Sequence, residues 1–207
     1  MELLEIIRQT IAAFCIEYIH HPYLCYTEHG QHALFYEKLF NRLAEEQRYI
    51  TWQDQKVCVI QKEYPTATDL GKPKRQHWDI SVLDAPPKNR VTCAQSYDYL
   101  NLLAAIEFGM NESREHLVDD MERLSHPGAN LKLGFLVHLY RLSDARCKFS
   151  RRDWSPRSRQ IISAEDVSRL SAKYPVEVYY AMANKTCKPK NGVWYIQGGK
   201  IKEIDQS

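Results

Sequence analysis

Apolar residues recur at helical spacing from the first turn of the chain. Leu3, Leu4, Ile7, Ile11, Phe14, Cys15, Tyr18 and Ile19 fall on one side of a helix. His20-His21-Pro22 ends it, because proline can neither donate an amide nor fit the helical backbone of the preceding turn. Thr27 has the hydroxyl of an N-cap and opens a second helix whose apolar positions are Leu34, Leu39 and Leu43. From Lys56 the pattern changes to the short, β-branched run Val57-Cys58-Val59-Ile60, a first strand, followed by a loop from Pro65 to Pro73. Trp78 to Leu83 alternates at period two and predicts a second strand, closed by Pro86-Pro87. Leu102 to Phe108 is almost continuously apolar, as in a strand covered on both faces. Glu112 to Leu124 returns to helical spacing through Leu117, Met121 and Leu124, and Leu131 to Leu139 is a fourth strand. A crossover helix between the third and fourth strands predicts that they run parallel.

Beyond this core the chain becomes polar and basic from Ala145 to Arg159, which predicts a long loop. Ser163-Ala-Glu-Asp166 has the spacing of a capping box for a helix reaching about Lys173, and Val176 to Met182 follows as a strand. Val193–Ile196 and Lys200–Ile204 flank Gln197-Gly198-Gly199, the signature of a hairpin. With no internal repeat and no long linker, the pattern predicts one α/β domain over residues 1–207: a central four-stranded mixed sheet flanked by helices, with a C-terminal helix, strand and hairpin added to it.

Composition narrows the classes of function. The 207 residues are 44% hydrophobic and 26% charged, an ordinary globular balance. The longest apolar stretch, Leu100 to Met110, is interrupted by Asn101, Glu107 and Gly109 and falls short of the roughly 18 residues a membrane span needs. The start Met1-Glu2-Leu3-Leu4-Glu5 is acidic where a secretory signal is basic, so a cytoplasmic protein is expected. Six cysteines (15, 25, 58, 93, 147 and 187) contain no C-x-x-C pair and are expected to be reduced. No phosphate-binding glycine loop or nucleophile elbow occurs. The net charge of +2 is unevenly placed: residues 1–145 carry 15 basic and 20 acidic side chains, residues 146–207 carry 13 and 6. Arg146, Lys148, Arg151, Arg152, Arg157 and Arg159, interleaved with Phe149 and Trp154, suit phosphates and stacked bases, the competing reading being a solvated loop. Lys72, Lys74 and Arg75 would extend that surface.

Two carboxylates sit inside apolar strands, Asp79 between Trp78 and Ile80, and Glu107 between Ile106 and Phe108. An unpaired carboxylate in such a place costs several kcal/mol, so it calls for a cation, a hydrogen-bond network or a function. If the two strands are neighbours, one Mg²⁺ or Mn²⁺ ion would serve both groups. The competing reading is ordinary ion pairing with Arg75, Lys62 or Lys132. Glu63 reads as an exposed strand-end carboxylate. His29 and His32, spaced i, i+3 and near His20 and His21, invite a transition-metal reading, yet no cysteine or second spaced pair completes a ligand set, so surface histidines are expected.

Arg75-x-x-Trp78-Asp79-Ile80 on the second strand and Ala105-Ile106-Glu107-Phe108 on the third, with a helix after it, resemble the PD-(D/E)XK nuclease superfamily, whose fold is restriction-endonuclease-like. The resemblance spans about residues 24–140, and Glu28 falls where many members keep a further acidic residue. It implies that Asp79 and Glu107 hold Mg²⁺ or Mn²⁺, joined by Glu28, for hydrolysis of nucleic-acid phosphodiesters, with DNA the expected substrate. It is compatible with a homodimer and implies no membrane. The family pattern is Glu-x-Lys, whereas Gly109 stands here; Lys62 or Lys132 would have to replace that lysine. Without one, the resemblance implies a degenerate domain that binds nucleic acid or a protein without cleavage.

Overall fold

The computed structural model of the protein describes residues 2–52, 54–66, 70, 76–84, 100–142, 162–184 and 191–206. Its first helix, α1, is Leu3–His20, and the predicted apolar face is the buried one, from Ile6 and Ile7 to Tyr18 and Ile19. Helix α2, Glu28–Arg42, begins where Thr27 accepts a hydrogen bond from the Gly30 amide at 3.1 Å. Two short strands, β1 (Tyr49–Trp52) and β2 (Gln55–Cys58), then form an antiparallel hairpin of their own. The main sheet follows with β3 (Ile60–Pro65), β4 (His77–Leu83) and β5 (Leu102–Met110). Helix α3 (Arg114–Ser125) leads to β6 (Leu131–Leu142), and helix α4 (Ala164–Ser171) to β7 (Val176–Asn184). Strands β8 (Gly192–Gln197) and β9 (Lys200–Glu203) complete the chain.

The sheet has seven strands in the order β3-β4-β5-β6-β7-β8-β9, not the four expected. Its first three strands are antiparallel, β5, β6 and β7 are mutually parallel, and β7, β8 and β9 are antiparallel again. The supposed C-terminal addition is thus a continuation of the same sheet. Its apolar positions Val176, Val178, Val193 and Ile196 are buried, so these strands extend the core rather than decorate it. The expected first strand, Val57–Ile60, is divided: Val57 and Cys58 belong to the separate hairpin and Ile60 opens β3. The turn of that hairpin contains Asp54 at φ 59° in place of the glycine that usually marks it. At the other end, Gly198 and Gly199, at φ 54° and 77°, make the tight turn that the Gly-Gly pair predicted.

Alternation along β5 divides the helices between two faces. Phe108 meets Phe14 of α1 and Phe35 of α2, at ring-centroid distances of 5.8 and 5.2 Å. Its neighbour Glu107 instead meets Arg123 of α3, because successive strand residues point to opposite sides. So α1 and α2 cover one face and α3 the other, and Arg8 of α1 clasps Glu177 of β7 with Nε and a terminal nitrogen. Among the described residues no helix is long and apolar enough to cross a membrane. Phe14 is 1% exposed and packs edge-on against both Phe35 and Phe108. Phe14→Ala should therefore cost about 3–5 kcal/mol in denaturant unfolding, with the slope of the transition unchanged.

Candidate acidic site at the fork of two strands

Strands β4 and β5 are paired from the Leu83–Leu102 end as far as Ile80–Ile106, and there the ladder stops. On the other side of β4, Lys62–Ile80 and Tyr64–Trp78 are paired while Glu63 and Asp79, between them, are not. Asp79 therefore lies where β4 has lost both ladder neighbours. Its Oδ2 accepts the Phe108 amide at 2.8 Å, in place of a strand carbonyl. Two residues further on, the Met110 amide points to the same side and donates to Glu28 Oε2 at 3.1 Å. Asp79 and Glu28, from a strand and from the first turn of α2, thus take over the edge that β4 vacates.

Glu107 completes the acidic group. Its carboxyl lies within hydrogen-bonding reach of Asp79 and is 3% exposed. Burial is the main cause that holds it protonated well above the ordinary 4.5, the neighbouring Asp79 charge adds to the effect, and Arg123 opposes it. Burial likewise raises the Glu28 carboxyl, against the Met110 hydrogen bond and with help from Asp79 and Glu112.

The counter-charge is Arg123, which sequence reasoning missed. A terminal nitrogen lies 2.8 Å from Glu107 Oε1, off the axis of a directed hydrogen bond, so the contact is an ion pair by distance. The guanidinium also donates to Asp120 Oδ1 at 2.8 Å and Gln76 Oε1 at 2.9 Å, and stands 5.4 Å over the Trp78 ring. Asp120 is 1% exposed, with His116 Nε2 3.3 Å from its other oxygen. The available signal was positional: Asp120 adjoins the apolar stripe Leu117, Met121, Leu124, where a charged residue needs a buried partner.

At the position of the family lysine, Gly109 leaves no void. A Cβ there would come 3.0 Å from His138 Nδ1. His138 pairs with Gly109 across β5 and β6, is fully buried and stacks on Tyr180 at 5.7 Å. Burial drives it down to about 3, so this imidazole is neutral at ordinary pH. Lys132 is bound to Asp84 at 2.8 Å, and its Leu131 neighbour pairs with Leu102 at the far end of β5. Lys62 is exposed on β3, close enough to His32 to act on its titration. Lys74, Arg75, Arg151, Arg152, Arg157 and Arg159 lie outside the described residues, as do Lys72, Arg146 and Lys148.

The histidines differ from expectation. His32 is not a surface residue: it is 1% exposed, its ring 5.0 Å from that of Phe108. Neither ring nitrogen has a hydrogen-bond partner, and Nε2 stands 3.7 Å from Asp79 Oδ2. Glu63 is not at a strand end but inside β3, in the left-handed region at φ 54°. One ligating atom each from His29, His32 and Glu63 lie within 4.8 Å of one another.

Comparison with known proteins finds no matching family model, no matching curated protein and no matching solved structure. The described geometry therefore has to carry the functional reading.

A carboxyl that keeps its proton more tightly when folded adds stability below its unfolded pKa and loses it as pH rises through the folded value. Glu107→Gln removes that loss. Thermal unfolding should show the variant level with the native chain below about pH 4.5 and gaining as pH rises. At neutral pH the variant should melt above the native chain, and the difference should close as pH falls. Arg123→Ala should do the opposite and cost about 3–5 kcal/mol, because the buried Glu107 and Asp120 carboxyls lose the cation that contacts both.

Proposed function

We propose that the chain is a metal-dependent, nuclease-like protein acting on nucleic-acid phosphodiesters, with DNA the expected substrate. The observation that carries this reading is the convergence of Asp79 and Glu107, from adjacent strands, at a fork whose free amides also anchor Glu28. Support also comes from the order of elements, α2, the β1–β2 hairpin, three antiparallel strands, α3 and a parallel strand. That order, with an acidic residue on the second and third strands, is what a restriction-endonuclease-like core requires.

Three hard oxygen donors, with the Glu28 and Glu107 carboxyls raised by burial beside the Asp79 charge, suit Mg²⁺ or Mn²⁺. Asp79 and Glu107 would hold the ion, with Glu28 beside them; when bound, it would supply Lewis-acid stabilisation of the phosphate and a more acidic water. The chain's own part is orientation. The Phe108 amide fixes one oxygen of Asp79, and the Met110 amide fixes one of Glu28, so neither carboxylate has to be ordered on binding. Arg123 holds Glu107 from the α3 side and balances its charge. Lys62 is the exposed cation on β3 available to orient water or substrate, and Lys74, Arg75, Arg151, Arg152, Arg157 and Arg159 supply positive charge for the backbone.

A second reading, a nuclease-fold protein that binds nucleic acid or a protein partner without cutting, is favoured by one observation. His138 fills the space beside Gly109 where the family's lysine would stand. Plasmid and oligonucleotide substrates with Mn²⁺ separate the two. The first reading expects cleavage that falls at least 100-fold in Asp79→Asn. Salt-dependent binding without cleavage, lost when Arg151, Arg152, Arg157 and Arg159 are neutralised, would establish the second, and absence of any nucleic-acid binding would sink the nuclease.

A further inference from the structure

We propose that His29, His32 and Glu63 form a second cation site, for a borderline transition-metal ion such as Zn²⁺, separate from the carboxylate pair Asp79–Glu107. The inference does not depend on phosphodiesterase activity. It starts from His32, whose two ring nitrogens are buried and without a hydrogen-bond partner. A buried imidazole normally has at least one nitrogen satisfied by protein or ordered water. Here the atoms gathered around it are those of ligands: His29 lies one helical turn earlier, and Glu63 lies on β3, with one donor atom of each within 4.8 Å of the others. Donors around one zinc ion sit about 3.4 Å apart, given bonds of about 2.1 Å and tetrahedral angles. Rotamer adjustment of the two exposed members closes that difference.

The donor types select the metal class. Two imidazoles and one carboxylate suit Zn²⁺, Ni²⁺ or Cu²⁺, whereas the all-oxygen pocket next to it suits Mg²⁺ or Mn²⁺. His32 has both ring nitrogens free of hydrogen bonds, so a nitrogen is open to ligate without breaking an existing contact. His29 and Glu63 are exposed, so the ion would reach the site from solvent and keep a position for water. Asp79 Oδ2, 3.7 Å from His32 Nε2, is placed to act as the outer carboxylate that orients a ligating histidine.

The test uses the full chain stripped of metal. Co²⁺ should develop the visible bands of nitrogen and oxygen coordination, and Zn²⁺ should displace it at one ion per chain, measured in parallel by calorimetry. His29→Ala and Glu63→Gln, both at exposed positions, should each weaken Zn²⁺ binding at least tenfold while leaving circular dichroism unchanged. Glu107→Gln should bind Zn²⁺ within about threefold of the native chain. The proposal is overturned by absence of Co²⁺ bands, or by a Co²⁺ spectrum dominated by thiolate charge transfer. It is equally overturned if Zn²⁺ affinity is unchanged in the double variant His29→Ala/Glu63→Gln, or if Glu107→Gln abolishes it.

Discussion

The parting of β4 from β5 beyond Ile80–Ile106 is the constraint on which the site depends. A strand that stays in a ladder spends its amides on its neighbours, and its side chains point up or down. Where the ladder ends, the amides of Phe108 and Met110 are left facing an empty edge, and side chains from elsewhere must accept them. Asp79 and Glu28 do so, and this draws two carboxylates from distant points of the chain to one place. The fork is held open from the α1–α2 side, where Phe108 is wedged among Phe14, Phe35 and His32.

The opposite face settles how much negative charge this fork can carry. Glu107 and Asp120 are both buried, and Arg123 from α3 is the cation that touches both. With Gln76 bound as well and the Trp78 ring beneath it, the guanidinium is fixed on several sides. The arrangement has the character of a buried triad, in which loss of one member leaves the others uncompensated. It also differs from a passive ion pair, since Asp79 remains on the Glu107 side without a cation of its own among the described residues.

Much of the fold was legible because period and composition agreed. Leu102–Phe108 and Leu131–Leu139 read as parallel strands from their nearly continuous apolar runs, and Ser163 announced α4 through a capping box whose reciprocal bonds are present. The β1–β2 hairpin was missed because its turn uses Asp54 in the left-handed region, although Tyr49-Ile50-Thr51-Trp52 is a run of four strong strand formers. The seventh-strand continuation was hidden for another reason: pattern identifies strands, but whether a hairpin joins a sheet or stands apart is decided by which edge is open. At the site, Asp79 and Glu107 stood out as charges inside apolar strands, and Glu28 was reached only through the family resemblance. Arg123 did not, since a helical arginine is ordinarily solvated, and the burial of His32 depended on Phe108, 76 residues along the chain and invisible to local pattern.

Glu63 adopts a backbone conformation that glycine enters freely and glutamate does not, at a strain of about 1–3 kcal/mol. A single change to glycine would relieve that strain while deleting the carboxylate. Random drift toward a sturdier chain thus has an easy route at this residue, and the route runs straight through the chemistry. Retention of glutamate at 63 across descendants of this sequence would record selection acting against stability, whereas its replacement by glycine would record the loss of whatever the side chain does.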